Sequence, residues 1–490
     1  MIQISFTSIL YTLFFHLSRH FFLIRKYFFM FSEFIFHYSV FGITKIRFQA
    51  HKITIFSKYY IMNTFYGVNF MFNEFLANLN FVVGFILFLC YSYQIFYTIV
   101  PFAIKPRRHK QPIKKNRIAI LIAARNEEKV IANLLESINE QDYDKNLMRA
   151  IVIADNCTDQ TATIAKKHGA TVFERFNKEN IGKGYALDFA IDKLRKSGEL
   201  ESIDGVIVLD ADNILTKNYV TEMNKTFSDG FESFTSYRNS KNYGDNWISA
   251  GYGLWYIRES KFLHYARMLL HSSCAISGTG FFVSKRLLDK FNGWKFYLLT
   301  EDIEFSIFAI INGVKIGCCI DAELYDEQPI TFKQSYKQRL RWSKGFFQVW
   351  QKHGKDLIKG IFKHRKFAFF DMTMNVMPAF ILTVLLLFTS ISAIIFGIFG
   401  IGDPSPVVES LLGYIAFTYS IMFIMGLITI ISEWKKIHTP PGRKIGYLFL
   451  FPIFMYTYIP ISVIALFKRV TWEPIHHTRA RSLDEVTKRK

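Results

Sequence analysis

Asp210 and Asp212 are the residues of this sequence best placed to do metal chemistry. They follow the uncharged run 206–209, which predicts a buried strand. Side chains two positions apart on a strand point to the same face, so both carboxylates can reach one divalent cation or a metal-bound phosphate. A lone D-x-D pair is more often a pair of solvated turn acids. Here the context favours a site, because Asp155 follows a second uncharged run.

A basic residue among glycines predicts a phosphate site near these acids. Lys183 lies in the stretch Asn180-Ile-Gly-Lys-Gly184, which leads into a helical pattern, and the N-terminus of a helix favours bound phosphate. The patterns G-x-G-x-x-G and G-x-x-x-x-G-K-[ST] are absent. A dinucleotide-binding enzyme and a P-loop ATPase therefore have little support.

A second acidic group, Thr300-Glu301-Asp302, precedes an apolar helical pattern. The simplest interpretation is a threonine N-cap with acids in the first turn of a helix. The functional interpretation is that one acid serves as a general base. The two are compatible, because a cap would itself fix the carboxylate in place.

Gln338, Arg341 and Trp342 form a third group, and on a helix they share one face. The alternative is a membrane-surface helix, with arginine for anionic headgroups and tryptophan for the interface. The apolar stripe on this helix favours an interfacial position without excluding a role in ligand binding. Both interpretations stay open.

Short apolar runs alternate with helical patterns between residues 117 and 209. This β-α-β-α order predicts an α/β fold with an open, mostly parallel sheet and helices on both faces. Ligands of such sheets bind beyond the carboxyl ends of the strands. Ala124-Arg-Asn-Glu127, Asp155 and Asp210 end three of the predicted strands, so one rim of the sheet carries the candidate site.

Four stretches, 75–104, 372–402, 410–432 and 445–467, contain no Asp, Glu, Lys or Arg. Each is long enough for a helix to cross a bilayer, which takes about 20 residues. The basic flank after the first stretch predicts that the soluble block lies in the cytoplasm. The last stretch contains Pro452 and Pro460 and precedes a basic tail, which a full crossing would place outside. Either this stretch is broken or re-entrant, or a further crossing exists.

The composition excludes several classes of protein. The 490 residues are 50% hydrophobic, with five cysteines and a net charge of +20. Such a chain is neither disordered nor a disulfide scaffold. The positive charge lies mainly on membrane flanks and in the tail, which favours anionic headgroups and a nucleotide diphosphate as partners and gives no support to nucleic acid.

The first 61 residues are rich in phenylalanine and contain one acid. They are interpreted either as an extra membrane-associated segment or as translated upstream sequence, with Met62 as the start. No cleavage site of the A-x-A type follows an apolar run there, so a signal peptide is not expected.

Taken in order, these motifs resemble those of family 2 glycosyltransferases, in particular the membrane-embedded branch that contains synthases of cellulose, hyaluronan and poly-N-acetylglucosamine. The resemblance covers residues from about 117 to the last apolar stretch. It implies a glycosyltransferase A (GT-A) fold, a UDP-sugar donor, a Mg²⁺ or Mn²⁺ ion and inversion at the anomeric carbon. One departure from the common pattern is Asn156-Cys157, where most members have D-G-S.

The resemblance also implies roles for individual residues. Asp302 is the expected general base, and Asp212 with Asp210 is the expected metal site. The residues expected to bind the nucleotide sugar are Ala124, Arg125, Glu127, Asp155, Lys183, Asp210, Gln338, Arg341 and Trp342. The residues expected at the acceptor are Gly278, Thr279, Glu301 and Trp342.

The resulting expectation is a multi-pass protein of the cell membrane. It consists of a cytoplasmic glycosyltransferase domain over 117–332, interfacial helices over 333–371, a transmembrane region over 372–467 and a basic tail over 468–490. The predicted activity is sugar transfer from a UDP-sugar to a growing polysaccharide, with extrusion across the membrane as one option. One alternative is a single transfer to a lipid; another is an inactive nucleotide-binding membrane protein or a transporter. Neither the sugar nor any partner subunit is identified.

Overall fold

The computed structural model describes residues 50–105, 113–376, 379–399, 403–473 and 479–488, without the side chains of 50–73 and 379–382. The predicted extension over residues 1–61 lies almost wholly outside these ranges. The chain divides into two compact units, Met1–Val68 and Asn69–Lys490. A long helix, α1, runs over Ala50–Ala103. Everything below concerns the second unit.

An eight-stranded sheet forms the centre of this unit, in the order β3-β2-β1-β4-β7-β6-β8-β5. Strands β1 to β4 pair in parallel, β7 is antiparallel to both its neighbours, and β6 pairs in parallel with β8. The strands are β1 Ile118–Ala124, β2 Met148–Asp155, β3 Thr171–Arg175, β4 Gly205–Asp210, β5 Ile214–Leu215, β6 Ser233–Ser240, β7 Phe281–Ser284 and β8 Ile316–Asp326.

The first four strands follow the sequence prediction, and three of them, β1, β2 and β4, contain uncharged apolar runs that helices cover. Ile120, Leu121 and Ile122 of β1 are fully buried, as expected of a parallel strand covered on both faces. The helices of this block are α2 Ile131–Asn139, α3 Thr161–Lys167, α4 Lys183–Lys196, α5 Tyr219–Ser228, α6 Trp247–Arg258, α7 Tyr265–Leu269, α8 Lys285–Lys290 and α9 Glu301–Ile311. Short 3₁₀ turns lie at Lys145–Leu147 and Glu199–Ser202, and a π-helix at Glu259–His264 joins α6 to α7.

Gly184, in the first turn of α4, permits a close approach that a larger residue would prevent. A Cβ atom at this position would lie 2.0 Å from the carbonyl oxygen of Phe296. The glycine therefore lets the start of α4 press against the backbone that leads to α9. As a result, Lys183 lies close to the acids at the rim of the sheet.

The remaining helices surround the membrane-facing side. They are α10 Phe332–His364, α11 Phe367–Val376, α12 Ala379–Ile398, α13 Ser405–Ser432, α14 Pro441–Tyr456, α15 Tyr458–Phe467 and α16 Leu483–Thr487. Within the described residues, three helical stretches are long and apolar enough to cross a membrane: Glu74–Ala103, Ser405–Ser432 and Pro441–Phe467. A shorter apolar helix covers Thr383–Ile398.

A buried ion pair fixes helix α11, Phe367–Val376, whose last residues belong to the predicted stretch 372–402. Arg267 donates to both oxygens of Asp371, from Nε at 2.8 Å and from Nη2 at 2.7 Å. Tyr97 and Tyr93 of α1 donate to the same carboxylate at 2.8 and 3.0 Å. This cluster of four side chains, called here the Asp371 clasp, joins α1, α7 and α11, and it keeps α11 against the soluble block.

The last apolar stretch is broken at Thr457, which separates α14 from α15. Pro460 lacks a backbone N–H, so it cannot donate to the carbonyl four residues earlier in a continuous helix. The tail beyond this stretch contacts the soluble block: Arg481 donates to the carbonyl oxygen of Lys241 at 2.9 Å, and Val486 packs with Ile214. The tail and the soluble block thus lie on the same side of these helices, while Pro441–Phe467 as a whole is still long and apolar enough to cross a membrane.

Candidate functional site

One cavity of about 590 Å³ brings the predicted site residues together. It opens where β1, β2 and β4 end. All of the predicted residues line it except Thr279: Ala124, Arg125, Glu127, Asp155, Lys183, Asp210, Asp212, Gly278, Glu301, Asp302, Gln338, Arg341 and Trp342. Thr279 is buried beneath the cavity, where its hydroxyl accepts a hydrogen bond from the Asp210 amide at 2.9 Å. It therefore positions Asp210.

Lys183 links two parts of the site. Its ammonium donates to Asp210 and, at 2.7 Å, to the carbonyl oxygen of Gly278. Gly182, the N-cap of α4, has φ +139°, a backbone conformation that favours glycine. This turn holds the lysine between the D-x-D acids and the glycine segment expected at the acceptor.

Asp212 is held by the backbone of the strand on the far side of the cavity. Its Oδ2 accepts from the Glu327 amide at 2.8 Å, directly after β8. Asp326 ends β8, and burial raises the pKa of its carboxyl to about 6; the charges of Asp212 and Asp210 add to this rise, while Arg238 opposes it. The Nε of Arg238 donates to Asp326 at 2.6 Å.

The donor set at Asp210 and Asp212 fits a hard divalent cation of the Mg²⁺ or Mn²⁺ type. Within the described residues, no cluster of three or more His, Cys, Asp or Glu side chains forms a complete metal cage. Mg²⁺ is commonly bound by one or two carboxylates, with substrate phosphates and water completing its shell. Asp210 already accepts from Lys183. Asp212 would therefore be the principal protein ligand.

Asp155, at the end of β2, is fixed by a partner that the sequence did not reveal. Arg175, at the end of the neighbouring strand β3, donates to its Oδ1 at 2.5 Å, and both side chains are buried. A second nitrogen of Arg175 donates to the Asn180 carbonyl oxygen at 2.7 Å. This pair orients the Asp155 carboxylate and the loop that leads to Lys183.

Glu301 and Asp302 occupy the first turn of α9 and Thr300 is its N-cap, both as predicted, but the threonine side chain does not cap the helix. Thr300 is the N-cap by position, yet its hydroxyl makes no cap hydrogen bond and has no partner among the described residues. The entry into the helix is held by Glu304, whose Oε2 accepts from the amides of Tyr297 and Leu298 at 3.0 and 3.1 Å.

The two acids of this turn differ from ordinary carboxyls because they lie next to each other and are half-buried. Burial raises the pKa of Glu301 to about 8, and the charge of Asp302 adds to this rise. Burial also raises the pKa of Asp302, while its hydrogen bond from the Ile303 amide and the charge of Lys183 lower it. A carboxyl with a raised pKa is a better proton acceptor when ionised. Asp302 can therefore serve as a base.

Helix α10 brings Gln338, Arg341 and Trp342 to the opposite wall of the cavity. The Trp342 ring meets the rings of Tyr252 and Tyr256 edge-on, with centroids 5.9 and 6.5 Å apart. The Oε1 atom of Gln338 is buried and has no hydrogen-bond partner among the described residues. Buried polar atoms rarely go without a partner, so this placement favours a role in ligand binding over a purely interfacial one.

Sequence reasoning missed several residues of the cavity wall. The acidic pair Asp326-Glu327 lies at the end of β8, but Asp321 and Glu323 lie within that strand, so the uncharged-run argument used for Asp210 does not reach it. The others had no local signal, because distant parts of the chain bring them to the site: Arg238, Tyr256, Glu259, Trp472 and Glu473. Trp472 lies under the guanidinium of Arg125, 5.2 Å from its carbon to the ring centroid.

The chain is similar to known glycosyltransferases over the part that forms this site. Residues 116–345 match the family described as "Glycosyltransferase like family 2". The beta-monoglucosyldiacylglycerol synthase of Nostoc sp. is 25% identical over 291 residues, covering 56% of this chain and 59% of that protein. A probable glycosyltransferase of Sulfolobus acidocaldarius is 25% identical over 56% of this chain and 60% of its own length. The chain thus spans about 60% of the length of these curated relatives.

Among solved structures, the mannosyltransferase PcManGT from Pyrobaculum calidifontis, in complex with GDP-Man and Mn²⁺, has a TM-score of 0.48 at 13% identity. The match covers 79% of this chain and 98% of that one. The family match is consistent with the fold, in which β7 is antiparallel to both its neighbours in the sheet, and with the acids at the rim of that sheet. Residues 116–345 are a family 2 glycosyltransferase domain with a GT-A-like mixed α/β fold.

Proposed function

We propose that this protein is a membrane-bound, inverting glycosyltransferase that moves a sugar from a UDP-sugar to a lipid acceptor. The observation that carries the proposal is the continuity of the cavity. The same cavity that contains Asp212 and Asp302 extends to apolar side chains of the membrane-facing helices, among them Met374, Val376 and Ile459. An acceptor with an acyl chain would bury that chain there while its hydroxyl reaches the acids.

The donor half of the cavity suits a nucleoside diphosphate sugar. Asp155 would bind the base or the ribose, as the resemblance implies. Lys183, which donates to Asp210, and Arg341 line the same cavity, and their positive charge would stabilise a departing diphosphate. A divalent cation held by Asp212 would add further charge neutralisation at the leaving group.

The acceptor half supplies the base. Asp302 would take the proton of the attacking hydroxyl, and the start of a helix is a rigid mount for its carboxylate. Gly278 lies directly beside this carboxylate, since a Cβ at that position would contact Asp302 Oδ2 at 3.8 Å. Substitution at the anomeric carbon from this side, opposite to the leaving diphosphate, would invert its configuration.

Two observations support a lipid as acceptor. The membrane side of the cavity is lined by apolar residues of α11, α14 and α15, such as Met374, Met455 and Ile459. In addition, the relative from Nostoc carries the name of a glucosyldiacylglycerol synthase. The polysaccharide alternative has one observation in its favour: the cluster of Trp342, Tyr252 and Tyr256 at the cavity wall offers flat faces on which a sugar ring can pack.

The same geometry supports a multi-pass protein whose domain and tail share one side of the membrane. The basic residues after the first candidate span would place that side in the cytoplasm, where nucleotide sugars are available to the site. The contacts of Arg481 and Val486 with the soluble block agree with this arrangement.

Product partition tests the proposed acceptor. The purified protein in lipid bilayers, given Mn²⁺ and UDP-glucose or another UDP-sugar with a labelled sugar, is expected to place the label in the chloroform-soluble fraction, as one or a few sugars per lipid. Label retained in a water-soluble or insoluble polymer instead would contradict the lipid acceptor and support the polysaccharide alternative.

Removal of divalent cations tests the metal assignment. We expect EDTA to reduce transfer at least about a hundredfold and Mn²⁺ or Mg²⁺ to restore it, because metal stabilisation of the leaving group is worth several kcal/mol. Asp212→Asn should weaken Mn²⁺ binding to the UDP complex, measured by electron paramagnetic resonance. Asp192→Asn, in an exposed pair with Lys196, is the control. Unchanged Mn²⁺ binding by the Asp212 variant would refute the assignment.

A further inference from the structure

Glu259 is a carboxylate in the cavity that the proposed mechanism does not use. It begins the π-helix Glu259–His264, and its side chain lines the cavity with 17% of its surface exposed. A π-helical turn inserts one extra residue into a helix, changes the direction of the side chains that follow, and is frequent at functional sites.

A serine hydroxyl and a histidine ring hold one carboxylate oxygen of Glu259 in place. Ser277 Oγ donates to Glu259 Oε2 at 2.8 Å. His264 Nε2 lies 3.3 Å from the same hydroxyl and 3.9 Å from Oε2. Burial and the charge of Arg267 hold the pKa of His264 well below its usual range, so the ring is neutral. A neutral ring protonated at Nε2 donates to Ser277, which in turn donates to Glu259.

The other oxygen is left for a ligand. No described residue donates a hydrogen bond to Glu259 Oε1. With 17% of its side chain exposed, Glu259 is only partly hydrated, so a donor from a bound ligand at Oε1 would replace a weakly held water.

A structural role as counter-ion does not account for this acid. The nearby guanidinium of Arg238 is paired with Asp326, and that of Arg267 is paired with Asp371. Arg258, adjacent in sequence, donates to Gln94 at 3.2 Å and keeps a buried nitrogen without a partner among the described residues. Among the described residues Glu259 forms an ion pair with none of these three guanidiniums, although their charges oppose the rise in its pKa that burial causes, and its side chain lines the cavity.

Glu259 and Asp302 border the same short segment of backbone. Ser277 holds Glu259, and the next residue, Gly278, lies directly beside Asp302, since a Cβ there would contact Oδ2 at 3.8 Å. Both carboxylates line the same cavity, so one bound molecule can present a hydroxyl to each. A lipid whose headgroup has a single hydroxyl would leave Glu259 unsatisfied.

We infer that Glu259 binds the acceptor, with Oε1 accepting a hydrogen bond from a second hydroxyl of the headgroup whose first hydroxyl Asp302 deprotonates. This inference rests on the proposed function and narrows it. The acceptor class becomes a lipid with a polyhydroxyl headgroup, such as a glycosyl or glyceryl group, rather than a lipid with one hydroxyl.

The test compares acceptors and variants in the same bilayers. Wild-type protein should use a lipid with a glycosyl or glyceryl-diol headgroup at least about tenfold better, by kcat/KM, than a diacylglycerol with one hydroxyl. Glu259→Gln should raise the KM for the polyhydroxyl acceptor about 10- to 100-fold, the range expected for a hydrogen bond to a charged group. The KM for the donor should stay within about twofold. Ser277→Ala, which removes only the orienting bond, should show a smaller effect in the same direction, and the exposed Glu201→Gln should show none.

The possible outcomes distinguish a failure of the inference about Glu259 from a failure of the proposed function. If Glu259→Gln lowers kcat and the melting temperature but leaves the acceptor KM unchanged, the residue is structural and the inference fails while the proposed function stands. If the wild type transfers sugar only to a polymer, the proposed lipid acceptor fails, and Glu259 is judged by the KM for a soluble oligosaccharide primer. A wild type that prefers the single-hydroxyl lipid overturns the inference directly.

Discussion

Replacing Asp302 by Asn is expected to reduce sugar transfer by about 10²–10⁴-fold, the usual contribution of a general base. The fold should survive, because asparagine has nearly the same shape and the carboxylate lies in the first turn of a helix. UDP should still bind, since the residues expected to hold it lie on other elements: Asp155 on β2, Lys183 on α4 and Asp210 on β4. Transfer is measured as UDP release in the presence of acceptor, and binding by calorimetry.

The pH profile provides a second readout of the same assignment. A base must be ionised to act, and burial raises the pKa of Asp302 above the ordinary value for aspartate. Activity should therefore be present at neutral pH and decline as the pH falls through the raised pKa, earlier than for an exposed aspartate. Full transfer activity of Asp302→Asn, or a loss matched by the exposed control Asp192→Asn, would refute the role.

Breaking the Asp371 clasp is expected to cause the largest loss of stability. Asp371→Ala leaves the buried guanidinium of Arg267 without its carboxylate and removes the acceptor of Tyr93 and Tyr97. Removing one partner of a buried ion pair typically costs about 3–5 kcal/mol. Thermal or chemical unfolding in detergent measures the loss.

Two comparisons distinguish the buried charge from a packing defect. The double variant Arg267→Met with Asp371→Leu removes both charges and should recover much of the lost stability, since apolar replacements of a buried pair are often tolerated. Asp192→Ala breaks the exposed pair with Lys196 and should cost under about 1 kcal/mol. A loss of that small size for Asp371→Ala would show that the clasp does not anchor α11.

The sequence predicted the first half of the sheet well, because β1, β2 and β4 are uncharged apolar runs that stand out locally. It did not predict β6, whose sequence Ser233–Ser240 is mostly polar although nearly every residue is buried. The polar side chains of β6 are satisfied by distant groups, for example Asn239, which donates to Glu323 at 2.7 Å. No periodicity in a single strand can reveal such partners.

The candidate site was likewise predicted from the sequence only in part. Asp155, Asp210 and Asp212 follow strands, so the rim of the sheet could be derived from the residues themselves. Asp302 and the group at Gln338 needed a family resemblance, because their positions depend on how α9 and α10 pack on the sheet. Neither the residues themselves nor the family resemblance identified Glu259. A π-helix has no sequence signature, and the hydrogen-bond partner of Glu259, Ser277, lies on another segment.

The break in the last apolar stretch shows what proline can and cannot predict. Pro452 and Pro460 indicated that a straight span was doubtful, but Pro452 lies inside the continuous helix α14. The break falls at Thr457 instead. There the hydroxyl of Thr457 donates to the Phe454 carbonyl oxygen at 2.6 Å and accepts from the buried Arg339 at 2.6 Å. The bend therefore coincides with a tertiary contact to α10, which no local sequence pattern indicates.

Acceptor-dependent release of UDP tests the central claim most directly. The purified protein in bilayers with Mn²⁺ and a polyhydroxyl lipid is offered UDP-glucose, UDP-N-acetylglucosamine, UDP-galactose and UDP-glucuronate in turn. We expect one of these donors to give UDP release that needs the acceptor and the metal, and that Asp302→Asn abolishes. Absence of UDP release from all four donors with lipid and polymer acceptors, or equal release by the Asp302 variant, would contradict the account.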